Sequence, residues 1–368
     1  MCGKSPGPEQ GLGAAIAERI CTSGPMAFSE FMSLALYHPE HGYYASGRAA
    51  IGKQGDFFTS VSTGAVFGEV LAGQFLEMRK HIGGDFLLVE QGANNGQLAL
   101  DVFDALEAAG RSYVSYAIVE PFPALEQKQR ETLAGKPVQW FRSLDELPEF
   151  RGVHFSNELF DALPVDLVRS DGTAWHELRV GLGAGGFEWV AGGKADCDYP
   201  VRAAGYTTEI RRGGEEIFRS LAGKMKAGFV LAVDYGMSLE SLLAPHRTEG
   251  TLSCYQAHRR DANPLEAPGE KDITAHVDFT SLIAAAESEG FSVAGFTDQH
   301  HFLVGAAAEM LRAMDGVPPS PESRKKLRAL QTLLHPESMG TQFQMLVLAR
   351  GLDSPVMLSG LQFARRPA

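Results

Sequence analysis

The sequence LLVEQGANNGQL, residues 87–98, contains the clearest structural signal in this chain. An apolar run that ends in Glu90 predicts a buried β-strand, and the segment that starts at Gln97 predicts the helix after it. Gly92 lets the backbone turn sharply between the two, and Gly96 lets a ligand or a strand approach the N-terminus of the helix. An ordinary strand–helix turn explains the same two glycines equally well.

Strands and helices alternate through the middle of the chain. Buried strands are predicted at 85–90, 115–120, 137–141, 152–157 and 228–234. Helices are predicted at 97–109, 123–133 and 215–226. This alternation is typical of an α/β fold with a parallel, doubly wound sheet, whose loops after strands one, two and four share one edge. Segments 292–299 and 341–349 predict a late antiparallel pair that completes the sheet.

The remaining segments are predicted to surround this α/β core. Two amphipathic helices, 28–37 and 66–80, flank a glycine-punctuated loop at 41–60. Segments 175–180 and 187–190 predict a hairpin inserted into the core. The predicted domains are an N-terminal helical and loop extension (1–80), a Rossmann-like core (81–350) with insertions at 165–210, 236–276 and 304–340, and a C-terminal tail (351–368). The second insertion shows no regular pattern, and long loops of this kind are usually functional.

Composition disfavours several classes of function. The chain of 368 residues has 33 basic and 45 acidic side chains, a net charge of −12, with 44% hydrophobic and 21% charged residues. This balance is typical of a globular protein and disfavours nucleic-acid binding, whereas it suits a cationic ligand or a basic peptide. No apolar run approaches the roughly 18 residues of a membrane span, and no secretory signal pattern is visible. We therefore expect a cytoplasmic protein without a membrane partner.

The cysteines predict no metal site. Cys2, Cys21, Cys197 and Cys254 have neither the spacing of a zinc finger nor that of a redox pair. Reduced thiols in a reducing compartment are the simplest interpretation of four such residues in a chain of this length. A structural zinc ion is therefore not expected.

A second acidic residue ends the next predicted strand. Glu120 follows Glu90 by 30 residues, and a carboxylate in this position can accept hydrogen bonds from ribose hydroxyls. The G-x-x-x-G turn lacks the third glycine of a dinucleotide fingerprint, and no phosphate-binding lysine follows it. We therefore expect an adenosine ligand without a pyrophosphate. S-adenosylmethionine fits, because its sulfonium cation suits an acidic, glycine-lined pocket. A solvated strand-end charge is the alternative for Glu120.

The segment SNELFDALPVD, residues 156–166, follows the fourth predicted strand. Asn157 and Glu158 would lie where a parallel sheet opens toward its ligand. Asp161 would align with Glu158 if one helical turn followed the strand. Polar groups in this position can orient a nucleophile beside a methyl donor, although helix capping by Asn157 explains that residue equally well.

Six motifs in the same order make the chain similar to the MidA-like family of S-adenosylmethionine-dependent methyltransferases. They are YHPEHGYYASGR…IGKQGDFFTS (37–60), VEQGANNGQL (89–98), IVEPFPALEQKQRETL (118–133), SNELFDALPV (156–165), LAVDYG (231–236) and PGEKDITAHVDF (268–279). The family includes the mitochondrial complex I assembly-factor arginine methyltransferase and its bacterial relatives. The resemblance covers about residues 25–350 and implies a class I methyltransferase fold. It also implies S-adenosylmethionine as cofactor, S-adenosylhomocysteine as product and a protein arginine as acceptor.

The resemblance further implies which residues form the site. The cofactor would be held by a closing loop in the N-terminal extension, by the glycine motif and by polar strand ends: Gly55, Asp56, Phe57, Thr59, Ser60, Glu90, Gly92, Gly96, Glu120 and Asn157. Asp234 and Tyr235 would lie at the end of strand five. Many relatives have Gly-Pro-Gly after the first strand, where this chain has GANNG at 92–96. Because asparagine tolerates the left-handed backbone, the turn can survive this departure.

An arginine acceptor would need carboxylates to hold its guanidinium group. Glu158 and Asp161, with Asn157 beside the methyl group, are the catalytic candidates, and Glu209 is a weaker one. The long insertion would add further residues on the acceptor side: Tyr255, His258, Asp272 and His276.

Two other functions stay open at this point. A nucleotide-dependent oxidoreductase would bind NAD(P), although the missing third glycine disfavours it. A non-catalytic partner-binding or assembly protein could keep the fold, and the altered turn is compatible with it. The sequence leaves the oligomeric state open, a homodimer included.

Overall fold

A computed structural model gives the fold and divides the chain into two compact units. It describes residues 11–46, 60–111, 114–211, 213–256, 259–261, 263–316, 318, 320–353 and 356–364. The parallel-sheet unit comprises Ile51–Leu159, Glu215–Gly236 and Phe279–Ala368. The antiparallel unit comprises Met1–Ala50, Phe160–Gly214 and Met237–Asp278. The predicted extension 1–80 is therefore divided between the units, and much of the predicted core insertion belongs with the N-terminal residues.

Seven strands of the parallel-sheet unit follow one another in its central, eight-stranded sheet. They are β1 (Leu87–Gln91), β2 (Ser115–Val119), β3 (Val138–Phe141), β4 (Phe150–Asn157), β5 (Met225–Met237), β6 (Ser292–Asp298) and β7 (Phe343–Arg350). Their order is β3-β2-β1-β4-β5-β7-β6. Strands β1 to β5 are parallel to one another, and β7 runs antiparallel to both β5 and β6. The predicted doubly wound sheet with a late antiparallel pair is confirmed.

Helices cover this sheet because their apolar faces pack on its buried strands. They are Val66–Ile82, Gln97–Ala108, Pro123–Thr132, Gly214–Lys224, Phe279–Ser288, Gln299–Ala306, Ala308–Met314 and Pro321–Leu334. Phe75 on the first of them is fully buried, and its ring centroid lies 4.8 Å from that of Phe155 in β4. Most boundaries agree with the predicted ones to within two residues. The exception is β5, which begins three residues before the predicted Gly228 and ends three residues after the predicted Asp234.

The described part of the antiparallel unit contains a five-stranded sheet, two longer helices and the short helix Leu239–Leu242. Its strands are Met26–Ala27, Trp175–Gly183, Val165–Ser170 and Thr207–Arg211, in that order, with Gly186–Lys194 paired to Trp175–Gly183. Helix Phe28–Tyr37 buries positions 28, 31, 32, 35 and 36, the spacing of one helical face. A second helix, Leu12–Ser23, was not predicted.

Two predictions for this unit are corrected by the sheet pairing. The hairpin 175–194 is not inserted into the α/β core, because its first strand pairs with Val165–Ser170 and Met26–Ala27 in the antiparallel sheet. The stretch 236–276 is not wholly irregular either. It contains a second, three-stranded sheet built from Ser253–Gln256, Arg259–Asp261 and Asp272–Thr274.

Candidate functional site

The register of the parallel sheet brings several predicted site residues to one edge. Gln91, the last residue of β1, pairs with Val119 of β2 and with Ser156 of β4. The residues that follow these three positions therefore lie side by side at the carboxyl edge of the sheet. They are the turn at 92–96, Glu120 and Asn157. Ligands of open α/β sheets bind at this carboxyl edge.

The turn after β1 uses left-handed backbone at three positions. The φ angles of Gly92, Asn94 and Gly96 are +79°, +47° and +80°, so the asparagine adopts the conformation expected for it. A Cβ atom on the exposed Gly92 would lie 3.2 Å from the Leu159 side chain. At Gly96 it would lie 3.3 Å from the Cα of Gln129. The prediction for Gly96 is corrected accordingly, since its missing side chain makes room for a neighbouring helix rather than for a ligand or a strand.

Glu120 is buried beside this turn. Its Oε1 accepts a hydrogen bond from the Phe122 N–H at 3.0 Å, and its Oε2 accepts one from Gln129 Nε2 at 2.8 Å. The same Nε2 also donates to the carbonyl of Asn94 in the turn, at 2.9 Å. Burial raises the pKa of Glu120 to about 7, and the two hydrogen bonds oppose that rise. Each carboxylate oxygen keeps a second lone pair for a ligand hydroxyl.

Glu90 lies next to this edge but faces the protein interior. It is 2% exposed, and its Oε2 accepts a hydrogen bond of 2.6 Å from the Tyr116 hydroxyl. Burial raises the pKa of Glu90 to about 7. The ring of Tyr116 packs among Phe103 and Phe155 in the core. Glu90 is thus held by an internal partner under the turn.

The end of β4 places Asn157 and Glu158 at the same edge. Glu158 has a φ of +54°, and its N–H donates to the Val233 carbonyl of β5 at 2.9 Å. Asn157 Nδ2 donates to Glu158 Oε1 at 2.8 Å. Residues 158–164 form bends and turns without a helix. The predicted helical alignment of Asp161 with Glu158 is therefore wrong, as is helix capping by Asn157.

Asp234 organises the neighbouring end of β5. It is fully buried, and its two carboxylate oxygens accept N–H bonds from Leu159 at 3.1 Å and Tyr235 at 2.9 Å. The Tyr235 ring packs on Phe343, with 3.9 Å between the centroids. These contacts stabilise the segment that carries Glu158, because they fix the residue directly after it.

Several buried acceptors at and under this edge have no hydrogen-bond partner among the described residues. They are Asn94 Oδ1, Asn157 Oδ1, Ser156 Oγ and His154 Nδ1. A buried acceptor without a partner costs free energy. A ligand rich in donors would satisfy such atoms, and S-adenosylmethionine carries an ammonium group, two ribose hydroxyls and an exocyclic amine. The donor and acceptor chemistry of the edge therefore fits this cofactor.

The predicted closing loop falls almost entirely outside the described residues. Gly55, Asp56, Phe57 and Thr59 lie outside them, and so does His258 of the acceptor side. Ser60 is described and fully buried, and its hydroxyl donates to Gln299 Oε1 at 2.9 Å.

The remaining acidic candidates belong to the antiparallel unit and bind its own groups. Half-buried Glu209 accepts N–H bonds from Thr251 at 2.7 Å and from Leu252 at 2.8 Å. Burial raises the pKa of Glu209, although these bonds oppose the rise. Asp272 accepts a hydrogen bond of 3.0 Å from the Tyr44 hydroxyl. Both carboxylates thus organise loops of this unit.

Tyr255, His276 and Asp161 belong to the same unit. Tyr255 pairs in register with Asp272, and the His276 N–H donates to Thr251 Oγ1 at 3.0 Å. The Arg211 guanidinium donates to the carbonyl of Asp161 at 3.2 Å. Burial raises the pKa of Asp161 to about 6, and the charge of Arg211 opposes the rise.

Sequence reasoning missed Gln129, which links the turn to Glu120. It is fully buried on helix Pro123–Thr132. A signal was present, since Gln129 follows the buried Leu125 by four residues and therefore lies on the same face of the helix.

The described parts of the chain offer neither a membrane-spanning helix nor a cluster of metal ligands. No helix there is both long and apolar enough to cross a membrane. Within the same residues, no group of three or more His, Cys, Asp or Glu side chains is arranged to hold a metal ion.

Known proteins resemble this chain over most of its length. A crystal structure of a Burkholderia thailandensis protein bound to S-adenosyl-homocysteine matches it with a TM-score of 0.86 and 29% identity, covering 99% of this chain and 98% of that one. Mitochondrial protein arginine methyltransferase NDUFAF7 of Mus musculus is 27% identical, over 90% of this chain and 82% of its own. The Danio rerio protein of the same name is 28% identical, over 89% and 84%.

A family model described as "Putative S-adenosyl-L-methionine-dependent methyltransferase" matches residues 70–297. The matched region holds β1 to β5 and the polar strand ends described above, and it covers more than half of the chain. The resemblance to MidA-like methyltransferases and the class I fold are thereby confirmed, with S-adenosyl-L-methionine as the cofactor. This chain belongs to that family of S-adenosyl-L-methionine-dependent methyltransferases.

Proposed function

We propose that the enzyme transfers a methyl group to the guanidino group of an arginine in a protein substrate. The observation that carries this proposal is the Asn157–Glu158 pair at the carboxyl end of β4, a central strand of the sheet. Glu158 adopts a strained left-handed backbone conformation that is held by a hydrogen bond to β5. Strain of this kind is concentrated at functional sites.

The parallel-sheet edge would hold the cofactor. Glu120 would accept hydrogen bonds from the ribose hydroxyls, and Gly92 would let the backbone approach the ligand. Asn94 and Asn157 would accept hydrogen bonds from its donors through their Oδ1 atoms. When bound, S-adenosyl-L-methionine supplies a methyl group on a sulfonium, which is already activated for displacement by a nucleophile.

Glu158 would hold the acceptor. A guanidinium with a pKa above 12 stays protonated at neutral pH, and a carboxylate can bind two of its N–H groups and fix its plane. The nitrogen that gains the methyl group must lose one proton, and the Glu158 carboxylate would receive it. Asn157 would orient that carboxylate through the 2.8 Å hydrogen bond from its Nδ2.

Two further observations support an arginine acceptor. The chain carries a net charge of −12, which attracts a basic peptide. Its curated relatives from Mus musculus and Danio rerio are named protein arginine methyltransferases. We also propose a cytoplasmic location, which fractionation of cells expressing the tagged chain would test.

The experiment is to incubate the purified chain with S-adenosyl-L-methionine and proteins of a cell extract, and to map new methyl groups by mass spectrometry of peptides. We expect methylarginine, and we expect Glu158→Gln to produce none above background. Methyl groups found only on lysine, on another side chain or on small molecules would contradict the proposed acceptor.

A further inference from the structure

Gln129 connects the turn at 92–96 with Glu120, the two features that define the cofactor edge. Its Nε2 donates to Glu120 Oε2 at 2.8 Å and to the Asn94 carbonyl at 2.9 Å, and its Oε1 accepts from Trp140 Nε1 at 3.0 Å. All three hydrogen bonds lie within the parallel-sheet unit, and the Gln129 side chain is fully buried. A buried amide with both of its ends engaged has one orientation.

From this geometry, we propose that Gln129 is a positioning residue that favours the ionised form of Glu120, aims it at the ribose, and so sets the pH range of cofactor binding. The inference rests on the ribose-binding role proposed for Glu120. Gln129 would not contact the cofactor itself.

The orientation of the amide follows from Trp140. An indole N–H can only donate, so the Gln129 atom facing it must be the oxygen. The nitrogen then points toward Glu120 and the turn. The Arg130 guanidinium carbon lies 4.1 Å from the centre of the Trp140 ring and packs on it. Gly96 lets the helix approach closely enough for these contacts, since its Cα carries no side chain facing Gln129.

The hydrogen bond from Gln129 affects the ionisation of Glu120 because other groups nearby shift its pKa in both directions. Burial raises the pKa of Glu120 to about 7, and the negative charge of Glu126 raises it further. The Phe122 N–H, Gln129 and the positive charge of Arg142 lower it. Near neutral pH the carboxyl is therefore poised between two forms. Loss of the Gln129 donor would raise the pKa of Glu120, because hydrogen bonds to a carboxylate favour its ionised form.

Protonation of Glu120 should weaken cofactor binding. A carboxylate accepts hydrogen bonds from both ribose hydroxyls, whereas a protonated carboxyl offers fewer acceptors. The cofactor thus favours ionised Glu120, and affinity falls as the pH drops through the pKa of the free protein. A variant with a higher pKa at Glu120 should lose affinity at a higher pH than the wild type.

The test is calorimetric titration with S-adenosyl-L-homocysteine between pH 6 and pH 9. For Gln129→Met we expect about tenfold weaker binding at pH 7, the effect of one hydrogen bond to a charged group. The deficit should shrink toward pH 9, because Glu120 becomes ionised there. The matched control is Gln127→Met, the same change at an exposed position of the same helix, and it should bind like the wild type.

A deficit that is equal at every pH would show that Gln129 only supports the fold, and it would overturn the inference, as would unchanged binding. If Gln129→Met does not fold, Trp140→Phe removes the indole donor while keeping a ring beside Arg130. It should shift the pH profile in the same direction by a smaller amount, and an unshifted profile would contradict the inference.

Glu120→Gln separates this inference from the role on which it depends. Loss of binding in Glu120→Gln with an unshifted Gln129→Met profile would reject the positioning role of Gln129 alone. Wild-type affinity in Glu120→Gln would reject the ribose role of Glu120 itself.

Discussion

Two regions of the molecule hold polar groups in different ways: the loop around Glu209, and the turn and strand ends at the carboxyl edge of the parallel sheet. In the antiparallel unit, the Glu209 carboxylate accepts hydrogen bonds from the N–H groups of Thr251 and Leu252. At the carboxyl edge of the parallel sheet, Asn94 and Asn157 keep Oδ1 atoms that no described residue satisfies. Polar groups of the first kind stabilise the fold, whereas those of the second kind are suited to a ligand. Burial of a carboxylate alone does not distinguish the two.

The largest expected effect tests the functional side of this contrast. Glu158→Gln should lower kcat about a thousandfold, within the range for a group that moves a proton in the transition state. The affinity for S-adenosyl-L-homocysteine should stay near that of the wild type, because the amide keeps the shape of the side chain. Single-turnover kinetics and calorimetry measure the two quantities separately.

The control residue for this variant lies just before the N-terminal end of β4. Glu149 is an exposed residue just before β4 and forms an ion pair with Lys226. Glu149→Gln should leave kcat unchanged. An equal loss of activity and cofactor binding in Glu158→Gln would assign Glu158 to cofactor binding and not to catalysis.

Glu90 sharpens the contrast, since it lies near the ligand edge but is bound internally by Tyr116. Its pKa is raised from an ordinary 4.5 to about 7 by burial. The folded state therefore holds the proton more tightly than the unfolded chain, and the resulting stability is lost as the pH rises through 7. The difference between these two pKa values corresponds to a loss of about 3 kcal/mol in the free energy of unfolding above pH 8.

We therefore expect Glu90→Gln to gain stability relative to the wild type between pH 5 and pH 8, by up to about 3 kcal/mol in the free energy of unfolding. The neutral amide can still accept the Tyr116 hydroxyl. Urea denaturation at several pH values measures this difference, with exposed Glu131→Gln as the control. A constant difference at all pH values would show that Glu90 is already ionised at little cost.

Glu209→Ala tests the structural side of the contrast. The variant removes the oxygen that accepts two backbone N–H groups, so the free energy of unfolding should fall by about 2 kcal/mol. Binding of S-adenosyl-L-homocysteine to the folded fraction should not change. Selective loss of activity with unchanged stability would instead place Glu209 at the acceptor.

The difference between the units also explains how much of the fold the sequence could predict. The strands β1 and β2 are short apolar runs that are each followed by a helix, and β4 is a mostly buried run, so local patterns located these strands closely. Val165–Ser170 pairs instead with Thr207–Arg211 and Trp175–Gly183. Thr207–Arg211, and Met26–Ala27 beside Trp175–Gly183, lie far away in the sequence, so no local pattern predicts that the hairpin joins this sheet.

The residues of the candidate site also fall into two groups, those that local sequence patterns predict and those that they do not. Glu120 and Glu158 could be predicted because parallel strands bring their carboxyl ends to one edge. The helix predicted between Glu158 and Asp161 does not form, since Asp234 binds the Leu159 N–H and holds this segment in an irregular conformation. Gln129 escaped prediction because a glutamine in a polar helix resembles a solvated residue, and its partners come from three other segments.

The smallest expected effect concerns the turn after β1. Gly92→Ala places a side chain at φ +79°, 3.2 Å from Leu159. Gly110→Ala is a matched control, because Gly110 also has a positive φ, +69°, but no described atom within 4 Å of the added carbon. Left-handed backbone costs an alanine about 1 kcal/mol, so both variants should lose about that much stability. Only Gly92→Ala should also weaken S-adenosyl-L-homocysteine binding, because Gly92 is exposed at the ligand edge. Equal affinities in the two variants would mean that the turn supports the fold without approaching the cofactor.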